Sequence, residues 1–267
     1  MRDINETLSF LKKQSALTWL IAANVLIFIA LRITAVIFHL CGNSGFEEIL
    51  LQYLELPSSP LLLLLRPWTP VTYMFCQFDA WHLVFNMLVL YWIGKILAMA
   101  VGSKRLAWIY LLGGLTGAII FTGVSAIAPG IGYGDYLTGS SASVFAVMTA
   151  TAVIMPKIRV NLVLIGEIQL RWVVITLIII DLCLGAGGEN VGGHIAHLGG
   201  VIAGALYPLL HKRLSHKRKP MSINPVSSSA DDMRNLDEIL DKIKQSGYAS
   251  LTANERKQLF EISSRIK

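Results

Sequence analysis

The sequence predicts an all-α, polytopic membrane protein: six transmembrane helices in one bundle, followed by a small cytoplasmic helical hairpin. Three observations carry that expectation. The 267 residues are 54% hydrophobic and 15% charged, with a mean hydropathy of +0.58, well away from soluble averages. The apolar residues gather in runs of membrane length. The cations sit between those runs, concentrated on one face of the predicted membrane. A formal net charge of +6 would suggest nucleic acid as a partner of a soluble chain. Here the basic residues flank apolar segments, as topology signals do, so the expected environment is the lipid bilayer and not nucleic acid.

Residues 1–16 form a polar N-terminal segment containing Arg2, Lys12 and Lys13. The first span, Leu17–Leu40, is long enough at about 1.5 Å per residue to cross a core of about 30 Å. Arg32 lies toward its far end, where it can snorkel to the headgroups. The run is too long for a signal peptide and no small-residue cleavage site follows, so this N-terminus is not read as a removable leader. Residues 41–70 mix Glu47, Glu48 and Glu55 with the short apolar run Leu61–Leu65, and are expected to lie in the interface. Arg66-Pro67-Trp68 closes that loop with a cation and an aromatic suited to headgroup depth.

The remaining spans are His82–Met99, Leu106–Ile127, Ser141–Met155, Trp172–Ala186 and Ile195–Leu210, completing a membrane domain over residues 17–211. Six spans put both termini on one side. Lys12, Lys13, Lys95, Lys104, Arg105, Lys157, Arg159, Arg171, Lys212 and Arg213 all fall on that side, which the positive-inside rule makes the cytoplasm. No targeting segment is visible, so a bacterial inner membrane is the expected home. Residues 212–232 read as a basic, then polar linker. In 233–267, Leu236, Ile239, Leu240 and Ile243 share one helix face, Gly247 breaks it, and Thr252-Ala253-Asn254-Glu255 reads as a capping box, hence the hairpin.

Cys41, Cys76 and Cys183 have no metal-ligand spacing. Cys41 and Cys76 could meet on the outer face, but free thiols are the favoured expectation.

Polar side chains on membrane-grade segments call for a shared purpose. Ser141 opens the fourth span 15 residues before Pro156, and His197 lies 14 before His211 on the sixth. Both then stand roughly 21–22 Å above the cytoplasmic ends of their helices, level with each other and able to form a nucleophile–base pair. The fourth span is short for the bilayer, so water must reach its sunken outer end. Its first-turn N–H groups, Ser141's included, could stabilise an oxyanion; a plain N-cap role for Ser140 or Ser141 is the competing reading, and for this feature alone the favoured one. His82 and Asn86, four apart on one face of the second span, could donate to the same oxyanion or simply join helices. His194 and His197 are three apart, but no acidic residue or cysteine within the motif completes a metal set, so neither a metal nor another cofactor is expected. Gly200 and Gly204 form a GxxxG that lets the sixth helix approach a neighbour and bring His197 to Ser141. Asp181, a carboxylate inside the fifth span, is a functional candidate by default, with a solvated lining role the favoured one.

Taken in order, Arg66-Pro67-Trp68-Thr69, His82-x-x-x-Asn86-Met87, Gly139-Ser140-Ser141 and Ala196-His197-Leu198-Gly199-Gly200 with Gly204 resemble the rhomboid family of intramembrane serine proteases, over residues 15 to 210. The resemblance implies a Ser–His dyad, with Ser141 as nucleophile and His197 as general base. It implies an oxyanion hole of His82, Asn86 and the Ser141 N–H, and Phe145 packed on His197. Gly139 and Ala142 flank the nucleophile. The fifth helix would be a lateral gate for substrates that are single-pass membrane proteins, cut near the outer end of a transmembrane helix. Ala142 departs from the family's usual glycine. That departure motivates a second hypothesis, a non-catalytic rhomboid-like protein that binds or escorts membrane segments. A transporter would call for inverted repeats and a site near mid-membrane, and neither is present in the sequence. Substrate identity, oligomeric state and the hairpin's role are not legible in the residues.

Overall fold

The computed structural model describes residues 15–43, 45–77, 79–128, 134–162, 166–186, 188, 190–215, 230–252, 254–256 and 258–259. The polar segment 1–14, most of the linker and the end of the second arm expected for the hairpin, with Phe260 and Ile262, lie outside the described residues. The chain divides into two compact units between His211 and Lys212.

The first unit is a helical bundle. Helix α1 (Ala16–Leu40) starts where the Ser15 hydroxyl accepts the Thr18 N–H at 3.2 Å, a side-chain cap for an otherwise orphan donor. Helices α5 (Ala80–Val101) and α6 (Ser103–Ile127) follow the first loop. They are separated only by Gly102, whose φ of 89° lets the chain reverse in one residue. Helix α7 (Ser141–Ile154) is central, α8 spans Leu170–Gly185, and α9 runs from Val191 to Ser215. Among the described residues, four helices, α1, α5, α6 and Val191–Leu210 of α9, are long and apolar enough to cross a membrane. Helix α7 has 14 residues and α8 has 16. Leu26, Ile33, Val36 and Ile37 of α1 are more than half exposed. An apolar sheath of this kind is stable against lipid and costly against water. The chain is a multi-pass membrane protein.

The first loop is more ordered than an interfacial connection needs to be. Short helices α2 (Phe46–Leu54), α3 (Pro60–Leu65) and α4 (Thr69–Thr72) fold within it. A helix leaves its last carbonyls without partners, and here three side chains from downstream satisfy them. Arg66 Nη1 donates to Gln52 O at 2.6 Å, Trp68 Nε1 to Tyr53 O at 2.8 Å, and Thr72 Oγ1 to Leu54 O at 2.6 Å. Arg66 also lies over the Tyr53 ring, 4.4 Å from its centroid. The Arg66-Pro67-Trp68 run, expected as a headgroup anchor, closes a helix end.

Two small antiparallel ribbons add to the helices. Strands β1 (Leu56–Pro57) and β2 (Tyr136–Leu137) pair Leu56 with Leu137, tying the first loop to the segment before Ser141. Strands β3 (Arg159–Leu162) and β4 (Gly166–Gln169) pair Arg159 with Gln169 between α7 and α8. The sequence reading missed both, because strands this short carry no period to detect.

Glu55, between α2 and β1, is buried at 7% exposure, and burial raises its carboxyl to about 7. Its folded pKa lies above the ordinary 4.5. Its contribution to stability is therefore fully present below the unfolded pKa and is lost as pH rises through about 7. Glu55→Gln is expected to match wild type at pH 4 and to exceed it at pH 8, by up to about 3 kcal/mol. Unfolding in detergent micelles at the two pH values reads this difference. Cys76 beside it is buried, and burial, then the Glu55 charge, pushes its thiol up to about 12, leaving it inert as a nucleophile. All three cysteines are free.

A buried polar network pins α1, the segment before α5, and α7 together. Gln77 Nε2 donates to Asn24 Oδ1 at 3.1 Å and to Ser140 Oγ at 2.9 Å. Asn24 Nδ2 donates to Tyr110 Oη at 3.1 Å, and that hydroxyl donates to Met74 O at 3.1 Å. Gln77→Ala strips Asn24 and Ser140 of a donor in a site water does not reach, and is expected to cost about 2–4 kcal/mol in micelle unfolding.

In the second unit, α10 (Ala230–Ser246) ends before Gly247, whose φ is 76°. The capping box forms as the sequence suggests: Thr252 N donates to Glu255 Oε2 at 2.7 Å, and Glu255 N to Thr252 Oγ1 at 3.3 Å. Lys242 Nζ donates to Glu255 Oε1 at 2.7 Å, and these bonds hold that carboxyl down at about 2.

Candidate active site

Small residues clasp α7 from both sides. A Cβ placed on Gly113 would clash with Ala146, and one on Gly117 would lie 2.9 Å from Ala142 Cβ. From the other side, Gly200 lies against the Ala142 carbonyl and Gly204 against that of Ala146. Gly199 meets Gly117 directly, where an added Cβ would come within 2.6 Å of its Cα. Helices α6, α7 and α9 thus touch backbone to backbone, the approach that GxxxG spacing permits. The sequence reading found Gly200 and Gly204. It missed Gly113 and Gly117, the same spacing inside an ordinary-looking span.

That approach brings His197 to Ser141. His197 Nε2 and Ser141 Oγ are 2.6 Å apart, a geometry in which the imidazole can take the hydroxyl proton. Phe145, one turn below Ser141, stacks on the His197 ring with centroids 4.6 Å apart and planes inclined at 21°. The N-cap reading of the two serines fails. No side chain caps α7, because Gln77 engages the Ser140 hydroxyl and His197 that of Ser141. The first-turn N–H groups of α7 are thus left without a side-chain acceptor.

Ser141 and His197 open on a cavity of about 290 Å³ that His82 and Asn86 also line. Asp79 Oδ1 caps α5 by accepting the His82 N–H at 2.7 Å. The His82 ring lies over Gly139, where a Cβ would come within 3.2 Å of its Cε1. Gly139 has a φ of 119°, a second reason for glycine there. Asn86 Nδ2 donates to His82 O at 2.8 Å within its own helix, and turning it toward a ligand needs only a side-chain rotation. Ala142 does not line the cavity: it is buried with its methyl toward Gly117.

Residues 65–213, more than half of the chain, match the Rhomboid domain. The chain belongs to the rhomboid family. This rhomboid is 25% identical over 154 residues to presenilin-associated rhomboid-like protein A, mitochondrial, of Danio rerio, a match covering 55% of this chain and 38% of that protein. The chain thus spans well under half the length of the curated relative it matches. Residues 229–265, with helix α10, match a family of unknown function (DUF6576).

One feature of this rhomboid's site was only half legible. Asp181, one turn before the end of α8, lines the cavity as expected, but its carboxylate is not simply solvated. Its Oδ1 lies 2.7 Å from His197 Nδ1 and 2.8 Å from His194 Nδ1, and its side chain is 12% exposed. Gly185 makes room, since a Cβ there would come within 2.9 Å of His194 Cβ. The ligand atoms of Asp181, His194 and His197 lie within 4.8 Å of one another. Asp181 is the acidic partner that the motif itself lacks. The separations from Oδ1, however, are those of hydrogen bonds.

Proposed function

We propose that this rhomboid is an intramembrane serine endopeptidase that cuts single-pass membrane proteins near the outer end of their transmembrane segment. The observation that carries the reading is the 2.6 Å contact between Ser141 Oγ and His197 Nε2, set in a cavity beside His82 and Asn86. Ser141 Oγ attacks the scissile carbonyl carbon and its proton passes to His197 Nε2. The C–O bond forms as the carbonyl π electrons move onto oxygen. The Ser141 N–H, His82 and Asn86 stabilise that oxyanion. Collapse breaks the C–N bond, the leaving amine takes the proton from His197, and water activated by the same imidazole hydrolyses the acyl-enzyme.

Helices α7 and α8 complete six spans, with both termini in the cytoplasm; the positive-inside distribution of Lys95, Lys104, Arg105, Lys157 and Arg159 supports this orientation. Substrate enters laterally past α8. The burial of the Ala142 methyl weighs against the non-catalytic binder, which that residue motivated. The test is cleavage of a tagged single-pass reporter in membranes by wild type and Ser141→Ala side by side. Product from wild type alone, cut near the outer boundary, is expected. Equal product from both would remove Ser141 as nucleophile, and persistent reporter binding with no product from either would favour the binder.

A further inference from the structure

We infer that Asp181 is a positioning residue for His197, so that this site works as a Ser141–His197–Asp181 triad with His194 steadying the carboxylate; the inference rests on the protease reading above. The three groups form an unbroken line: Ser141 Oγ to His197 Nε2 at 2.6 Å, then His197 Nδ1 to Asp181 Oδ1 at 2.7 Å. A carboxylate can only accept, so Nδ1 carries the hydrogen and Nε2 presents its lone pair to the serine hydroxyl. Without such a partner the ring is free to hold its proton on Nε2, the tautomer that cannot accept one from Ser141. When the Ser141 proton arrives at Nε2, the Nδ1–H bond to Asp181 stabilises the imidazolium with a charge already in place, and no proton moves to the carboxylate.

The surroundings fit a positioning role better than a packing one. Phe145 fixes the plane of the His197 ring from one face, leaving rotation within that plane to be set by Nδ1. His194, one turn earlier on α9, donates its own Nδ1–H to the same Oδ1 at 2.8 Å and stands edge-on to His197, with centroids 5.8 Å apart. Two donors on one oxygen anchor a carboxylate that rises from a different helix. Asp181 comes from α8, His194 and His197 from α9. The family resemblance implies only the dyad.

The experiment compares wild type, Asp181→Asn, Asp181→Glu, His194→Ala and Ser141→Ala as purified full-length proteins in micelles. It measures steady-state cleavage of a quenched-fluorescent transmembrane peptide and the rate of Ser141 labelling by a fluorophosphonate. Asp181→Asn is expected to lower kcat about 10²–10⁴-fold with KM held within about threefold and labelling slowed in parallel, since the loss lies in activating the serine. Asp181→Glu should recover at least about tenfold of that loss by restoring the charge. It is also the variant to read should the Asn form destabilise the helix pair, with kcat reduced from wild type and KM unchanged. His194→Ala should fall between wild type and Asp181→Asn. An Asp181→Asn enzyme within about threefold of wild type, beside an inactive Ser141→Ala, would overturn the triad and leave the protease intact. So would a His194→Ala loss as large as that of Asp181→Asn, which would mean the cluster acts by holding the helices. An active Ser141→Ala would instead overturn the protease reading, and the triad with it.

Discussion

Ser141→Ala, His197→Ala and the double variant are expected to be equally inactive, each reduced by about 10⁵–10⁶-fold in kcat. The equality is the sharper part of the expectation. Ser141 Oγ and His197 Nε2 share one hydrogen bond, and the hydroxyl gains nucleophilicity only as its proton leaves. Removing either partner therefore removes the whole effect, and removing the second adds nothing. Reporter cleavage by the three variants, normalised to folded protein, checks it. Losses that multiplied in the double variant would mean that the two side chains act independently and that the 2.6 Å contact is incidental. Folding should be little affected. His197 is partly exposed to the cavity, and its loss leaves Phe145 without a stacking partner but leaves the backbone contacts of α9 in place.

Gly200→Ala is the second large expectation, and it acts through the backbone. A methyl at Gly200 would occupy the space of the Ala142 carbonyl oxygen, and neither that carbonyl nor the Gly199–Gly117 contact beside it can yield. Overpacking with a flexible neighbour typically costs about 1–3 kcal/mol. With backbone on both sides the expected cost is about 3 kcal/mol or more. Helix α9 must tilt away from the start of α7, carrying His197 with it. A displacement of about 1 Å between reacting groups is enough for about a 10²-fold loss. Micelle unfolding and reporter cleavage should therefore fall together, unlike His197→Ala, in which only cleavage falls. Gly204→Ala, lower on the same contact, should destabilise similarly with a smaller effect on activity.

The parts of this protein that were legible in its residues are those with a long period or a depth. Helix lengths, the opening of α7 at Ser141 and the level meeting of Ser141 with His197 all follow from counting residues along helices. The Thr252–Glu255 box was legible because a cap is a local device. The illegible parts depend on rotation and on what competes for a hydroxyl. Ser140 looked like a cap, but Gln77 reaches it across 63 positions of sequence. Asp181 stood out as an intramembrane charge, yet its partners depend on how α8 is turned and on the short connection from Gly185 to Val191. Neither has a sequence period. Gly113 and Gly117 were overlooked because glycine is common in apolar spans, and only the opposing face tells a close approach from a spare position.

The slenderness of α7 bears on how the protein is made. At 14 residues it extends about 21 Å, short of a hydrocarbon core of about 30 Å. Lipid alone therefore holds it poorly. It emerges after α6, whose Gly113 and Gly117 already offer one half of its seat. The other half, Gly200 and Gly204, follows later in the chain, on α9. Until the ribosome has delivered α9, Ser141 lacks the His197 imidazole that engages its hydroxyl, and the Ala142 and Ala146 carbonyls lack the glycines that pack on them. The Ser141–His197 pair is thus assembled only after α9 has joined α6 and α7.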